Sequence, residues 1–419
     1  MSVVAIVLLL AIIGGMLMIG MKPAAQDPVD TTATAEAFQG TIPPDGNPED
    51  VTCKGSYSVS DEDAIAGAAT VVATMGDRTL TNAQLQVYYW NYVNSYLSSE
   101  NGYYAMMLGE VDYSQPLDMQ VCSVDPTMTW QQFFLAGALS NWEYMQALTL
   151  AAENSGYTIS EENRLALEST PETLENAAVQ MGFANTQELL VAEFGAGVTL
   201  EDYLLFENLY YHSIPYYNEE SEKLTATEEE VEAFFAEHEE EYAQLGLLRT
   251  DVLMDARHIL IMPEGATNET IRTETFSEEA WAASEKKAQE ILQEYLDGER
   301  TEERFAELAN TYTQDGNDAD MDGQPDGGLY TGITKETSFV PEFLNWCIDA
   351  SRVPGDTGIV KTSYGYHIMY CSKTEALWPQ YARQDVLVEK GSAIIDAALE
   401  QNPADVNYAE IALAELVLG

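Results

Sequence analysis

The chain is short of positive charge. It has 18 Lys and Arg against 70 Asp and Glu, a formal net charge of −52 over 419 residues. Such a polyanion repels phosphate backbones, which excludes nucleic acid as a partner and leaves solubility, cationic partners or divalent metals as its uses. Cysteine is scarce too. Cys53, Cys122, Cys347 and Cys371 lack CxxC spacing, which argues against a zinc site. Disulfides between neighbours in sequence (Cys53 with Cys122, Cys347 with Cys371) and free buried thiols both stay open. No internal repeat of solenoid period is visible. Long apolar runs are confined to residues 2–21, SVVAIVLLLAIIGGMLMIGM. At about 20 residues this run can cross a bilayer as one helix and exceeds a signal-peptide core. It reads as an uncleaved single-pass anchor, with the bulk of the chain outside the cytoplasm. The one flanking cation, Lys22, favours the opposite orientation, unless basic residues precede the start.

Histidine occurs only as His212, His238, His258 and His367. Two of these sit in strand-like apolar runs, His258 in DARHILIM and His367 in KTSYGYHIMY. A histidine in a strand is most often a satisfied structural residue. Two in matching surroundings pose the question of whether they are partners.

Residues 22–50 are rich in Pro, Thr, Ala, Asp and Gly and read as a linker. VVATMGDRTLTNAQLQVYYWNYVNSYL predicts a strand, a turn at Gly76-Asp77 and a helix opening at Thr81. TWQQFFLAGALSNWEYMQALTLAAENSG predicts a long helix ending at Gly156. Shorter helical patterns follow in EENRLALEST, PETLENAAVQMG, TQELLVAEFG and LEDYLLFENLYYHSI, and Thr227 with Glu230 has capping-box spacing. Residues 51–250 therefore form a helix-rich domain. From 251 to 375 the order changes to β-α-α-loop-α-β-β, an α+β domain, and 376–419 returns to helical patterns. Aromatic clusters such as Tyr88-Tyr89-Trp90, Phe133-Phe134 and Tyr216-Tyr217 could line a groove, but at helical spacing are more often core.

The motifs RHILI, FAELANTYTQD, GG-L, FVPEF and VKTSYGYHIMY follow one another between Arg257 and Lys373, with a Gly-terminated helix after the first. In that order they resemble the parvulin-type peptidyl-prolyl isomerases. VVATMGDRTLTNAQL resembles the opening of the helical chaperone domain of PrsA- and SurA-like foldases. The resemblance implies that His258 and His367 are paired on neighbouring central strands and that Asp315 is catalytic. It implies that Thr362 joins the histidine network, and that Leu329, Phe339 and Phe343 form an apolar wall for the proline ring. Phe339 stands where methionine is commoner, and GGLYTG lacks the acid usual after the two glycines. It also implies that residues 376–419 pack on the N-terminal domain. Phosphate-selective parvulins carry a basic cluster after the first histidine; here that stretch is mostly acidic, against such selectivity.

One further motif stands apart from the resemblance. Asp318, Asp320, Asp322, Gly323 and Asp326 match D-x-D-x-D-G-x-x-D, the start of a calcium loop, although the closing Glu is replaced by Leu329. A solvated acidic loop is the alternative. The expected protein is a membrane-anchored extracytoplasmic foldase that isomerises X-Pro bonds in unfolded secreted proteins. It needs no cofactor and is open to calcium at 318–326 and to homodimerisation. A holdase with a silent parvulin domain is the runner-up, and an acidic, calcium-dependent adhesion protein a third reading.

Overall fold

The computed structural model describes residues 55–97, 111–112, 115–315 and 325–414. The expected anchor and linker, Cys53 and most of the acidic loop lie outside these residues. Among the described residues no helix is long and apolar enough to cross a membrane. The chain divides into two units, residues 1–224 with 390–419, and residues 225–389.

The first unit opens with β1 (Ser58–Val59), α1 (Asp61–Gly67), the hairpin β2 (Val71–Met75) and β3 (Arg78–Thr81), and α2 (Asn82–Leu97). The stretch read as strand and turn is thus a hairpin, because Gly76 takes φ +61° and lets the chain reverse. Helix α3 (Trp130–Ser155) has the capping box of Thr129 and Gln132 at one end and Gly156, φ +77°, at the other. Then come α4 (Glu161–Met181), α5 (Thr186–Phe194) and α6 (Leu200–Glu222). Two of the short helical patterns merge into α4, which carries Pro171 inside it. The helix is largely exposed, so water can satisfy the carbonyl that proline leaves unpaired. The aromatic clusters are core: Tyr88, Tyr89, Trp90, Phe133, Phe134, Tyr216 and Tyr217 are all buried in one cluster.

The second unit contains α7 (Glu228–Glu237), α8 (Glu239–Gln244), β4 (Val252–Ile261), α9 (Glu278–Asp297), α10 (Glu302–Tyr312), β5 (Leu329–Ile333), α11 (Pro341–Cys347), β6 (Thr357–Lys361) and β7 (Tyr366–Ala376). Thr227 and Glu230 form the capping box of α7. Helix α12 (Trp378–Gln401) begins in this unit and ends in the first. The last residues of the chain are not all helical. β8 (Ala404–Val406) joins β2, and β9 (Leu413–Ala414) pairs with β1.

The sheet of the second unit has the order β5-β4-β7-β6, with every pair antiparallel. Successive strand residues face opposite sides. Ile259, Ile261, Tyr366, Ile368 and Tyr370 pack against α9 and α10. Met254, Ala256, Met369 and Cys371 pack with Phe343, Trp346 and Cys347 of α11. His258 and His367 belong to this second face, buried at 2% and 5% exposure.

Edge strand β5 is an element absent from the sequence reading, where YTG looked like loop. Two glycines bring it in. Gly328 has φ +69°, and a Cβ there would lie 2.2 Å from the His258 carbonyl oxygen. The His258 amide donates back to the Gly328 carbonyl at 2.9 Å. Backbone must therefore approach backbone more closely than any side chain permits. Gly332, φ +68°, has open space around it. Gly328→Ala is expected to destabilise this unit by more than about 2 kcal/mol, combining strain with a backbone clash, and Gly332→Ala by only about 1 kcal/mol. Urea denaturation of both variants checks this; equal losses would mean that the close approach carries no weight.

Candidate active site

The polar centre of the second unit grows from the β4–β7 register. His258 faces Met369, and Leu260 faces His367, so the two histidines are diagonal neighbours on one side of the sheet. Their Nδ1 atoms are 3.1 Å apart, and their rings stack at 5.3 Å between centroids. Thr362, at the β6–β7 turn, places its Oγ1 2.9 Å from His367 Nε2. The Tyr364 amide donates to the same Oγ1 at 3.1 Å, which fixes the hydroxyl. On the other side, His258 Nε2 lies 3.3 Å from Asp315 Oδ2.

Asp315 is delivered by the segment after α10. The Gln314 amide donates to the Leu260 carbonyl at 2.9 Å, and Gln314 Oε1 accepts from the Met262 amide at 2.7 Å. Thr313 Oγ1 accepts from the Leu260 amide at 3.1 Å and from the Asp315 amide at 3.3 Å. A short polar run thus lies along the end of β4 and aims the carboxylate at the histidine.

The apolar wall comes from α11 and its approach. Phe343 stands edge-on to both imidazoles at 5.2 Å, and Phe339 packs edge-on to Phe343 at 5.0 Å. Pro341 starts α11 at a position where its missing N–H costs nothing. His258, His367, Thr362, Asp315, Phe339 and Phe343 are therefore brought together.

Leu329 is not. It is in register with Arg257, whose Nε pairs with Glu302 of α10 at 2.9 Å, so it belongs to the opposite sheet face. The wall position falls instead to Tyr330, opposite Ala256. Its ring stacks on His258 at 5.1 Å and meets Phe339 edge-on at 5.3 Å. The small Ala256 leaves room for that ring. Alternation along β5 would have found Tyr330 had the strand been recognised.

Of the suggested calcium ligands, Asp318, Asp320 and Asp322 lie outside the described residues. The carbonyl of Asp326 accepts from Arg257 Nη1 at 2.7 Å. Among the described residues no group of His, Cys, Asp and Glu is gathered to hold a metal. Cys122, Cys347 and Cys371 are buried free thiols; burial pushes Cys347 up to about 12 and Cys371 to about 11.

Proton positions follow from the network. Burial, and then the neighbouring His258, push the His367 pKa down to about 3, so this ring is neutral at ordinary pH. With Asp315 ionised and His258 neutral, His258 donates from Nε2 to Asp315. Its Nδ1 then accepts from His367 Nδ1–H, and His367 Nε2 accepts from the Thr362 hydroxyl. A proton added at His258 Nδ1 reverses both bonds beyond it. The array orders polarity from Thr362 to Asp315 beside an apolar wall; it holds no nucleophile poised for bond breaking.

Residues 258–373 match the rotamase family model, described as a PPIC-type PPIase domain. That segment contains His258, Asp315, Tyr330, Phe339, Phe343, Thr362 and His367, and it is a parvulin-type peptidyl-prolyl cis-trans isomerase domain. The chain is similar to PrsA from Bacillus subtilis, at 18% identity over 65% of this chain and 87% of that one, TM-score 0.21. It is similar to the peptidylprolyl isomerase PrsA of Bacillus anthracis, at 17% over 66% and 99%, TM-score 0.21. It is also similar to a SurA-like chaperone of Campylobacter jejuni, at 16% over 79% and 96%, TM-score 0.20. No curated protein matches the chain.

The depressed pKa of His367 has a signed consequence. An unfolded histidine takes up a proton near pH 6.5, whereas the folded one does so only near pH 3. Between those values the unfolded state binds more protons, so this contribution to stability is full above about pH 6.5 and is lost as pH falls towards 3. The stability gap between wild type and His367→Asn should narrow on acidification, by up to about 1.4 kcal/mol per pH unit. Chemical denaturation at pH 7, 5.5 and 4 measures it; parallel curves would mean that His367 is protonated normally.

Proposed function

We propose that this chain is an extracytoplasmic foldase whose isomerase domain turns X-Pro bonds in unfolded secreted proteins. The observation that carries this reading is a buried His258–His367 pair, tied to Asp315 and Thr362, lying against Phe339 and Phe343 within the PPIC-type segment. Rotation about an X-Pro bond meets an amide-resonance barrier of about 18–20 kcal/mol and takes tens of seconds or more unaided. No bond has to break. Catalysis needs an apolar slot for the ring and a polar environment suited to the twisted amide. Phe343 and Phe339 supply the slot. Asp315 stands near the rotating carbonyl, and the histidines hold its orientation. No cofactor enters this chemistry, and calcium at 318–326 would brace the loop that follows Asp315.

On this reading the apolar run at residues 2–21 anchors the chain, residues 22–50 hold it off the membrane, and the helical unit receives clients. Exposed Leu165, Val179 and Met181 on α4 favour a chaperone contribution there, since each is more than half exposed. In a proline-limited refolding assay the chain should accelerate the slow phase. Asp315→Ala should reduce that acceleration about 10- to 100-fold, the worth of one or two interactions with a charged group. Phe343→Ala should raise KM more than it lowers kcat. Suppressed aggregation without any acceleration would leave a holdase.

A further inference from the structure

Tyr330 has two ends in two environments. Its ring stacks on His258 and meets Phe339 and Phe343 edge-on, so it shares the apolar wall. Its hydroxyl donates to Asp315 Oδ2 at 3.4 Å, the same oxygen that lies 3.3 Å from His258 Nε2. His258, Asp315 and Tyr330 thus close a small ring of contacts. A wall residue need only be apolar. Leucine one place earlier would have served, but the β5 register turns it away. The side chain that takes its place adds a donor.

We propose that Tyr330 is a positioning residue of this site, its hydroxyl holding the Asp315 carboxylate in line with His258 while its ring forms the wall. The inference rests on the isomerase reading above. The clamp has a clear direction. Burial, and then Asp315, push the phenol up to about 12, so the hydroxyl stays protonated and serves only as donor to the carboxylate. The titratable groups facing Asp315 are His258 and His367 from the central strands and Tyr330 from β5. A donor on Oδ2 favours the ionised acid and keeps the proton of His258 on Nε2. It thereby sets the polarity of the whole chain to Thr362. Without it the carboxylate can rotate away, and the two histidines are free to exchange tautomers.

The test separates ring from hydroxyl. Tyr330→Phe keeps the wall and removes the donor; Tyr330→Leu keeps only apolar character. Tyr330→Phe should lower kcat about five- to tenfold with KM unchanged, the worth of one long hydrogen bond to a charged group. It should also move the acid limb of the pH–rate profile to higher pH, because the ionised carboxylate has lost a donor. Tyr330→Leu should add a rise in KM. A Tyr330→Phe variant with intact circular dichroism and an unchanged kcat and pH profile would overturn the proposal. Long-range 1H–15N NMR of the His258 ring provides a readout that needs no turnover. Wild type should show Nε2–H and Tyr330→Phe a mixture of tautomers, whereas identical spectra would overturn the clamp. If the wild-type chain accelerates no refolding, the isomerase reading falls by itself, and the NMR comparison still decides what Tyr330 does.

Discussion

Two imidazoles buried against each other are the constraint around which the second unit is built. Neither ring can reach bulk water, and an unpaired polar group in an apolar layer costs several kcal/mol. Each must therefore find its partners inside the fold. The 3.1 Å Nδ1 contact satisfies one nitrogen of each, and Thr362 and Asp315 take the others. For that to work, β4 and β7 must pair in one register only. A slip of one residue would send His367 to the helix face and bring Tyr366 or Ile368 to the site. The apolar sets on the two faces forbid it, since Ile259, Ile261 and Ile368 are fully or almost fully buried beneath α9 and α10.

The same constraint explains why the surroundings are tightly shaped. Gly365, at φ +150°, closes the β6–β7 turn where a Cβ would meet the Ile261 carbonyl at 2.3 Å, and that turn holds Thr362 beside His367. Gly328 performs the equivalent task on the other side, at the His258 carbonyl. Phe343 then covers both rings at equal distance. With the polar atoms arranged in this way, the Asp315 carboxylate lies against His258 from a fixed direction. A site for turning an amide requires such preorganisation and little else.

Much of this was legible in the residues. Both histidines lie in β-like runs, and the long helix ends where Thr129 and Gly156 cap it. The failures share a cause. YTG reads as loop because glycine and threonine dominate it, yet it pairs with β4 as an edge strand, and tertiary pairing outweighs weak local preference. One unrecognised strand was enough to exchange Leu329 for Tyr330, because strand side chains alternate and an error of one position changes the face. Helix α4 was split at Pro171, where packing and solvation tolerate what propensity discourages.

What the sequence determined by itself is the inventory: which side chains could do chemistry, which helices have caps, and a net charge of −52 that repels polyanions. Motif order was also enough to name the class of domain. What only the tertiary structure decided is adjacency. His258 and His367 are 109 residues apart, as are no two parts of a local motif, and Asp315 and Tyr330 meet only after β5 has paired. Composition and periodicity describe each segment against solvent. Register describes one segment against another, and a single residue of register decides whether a leucine or a tyrosine faces the site.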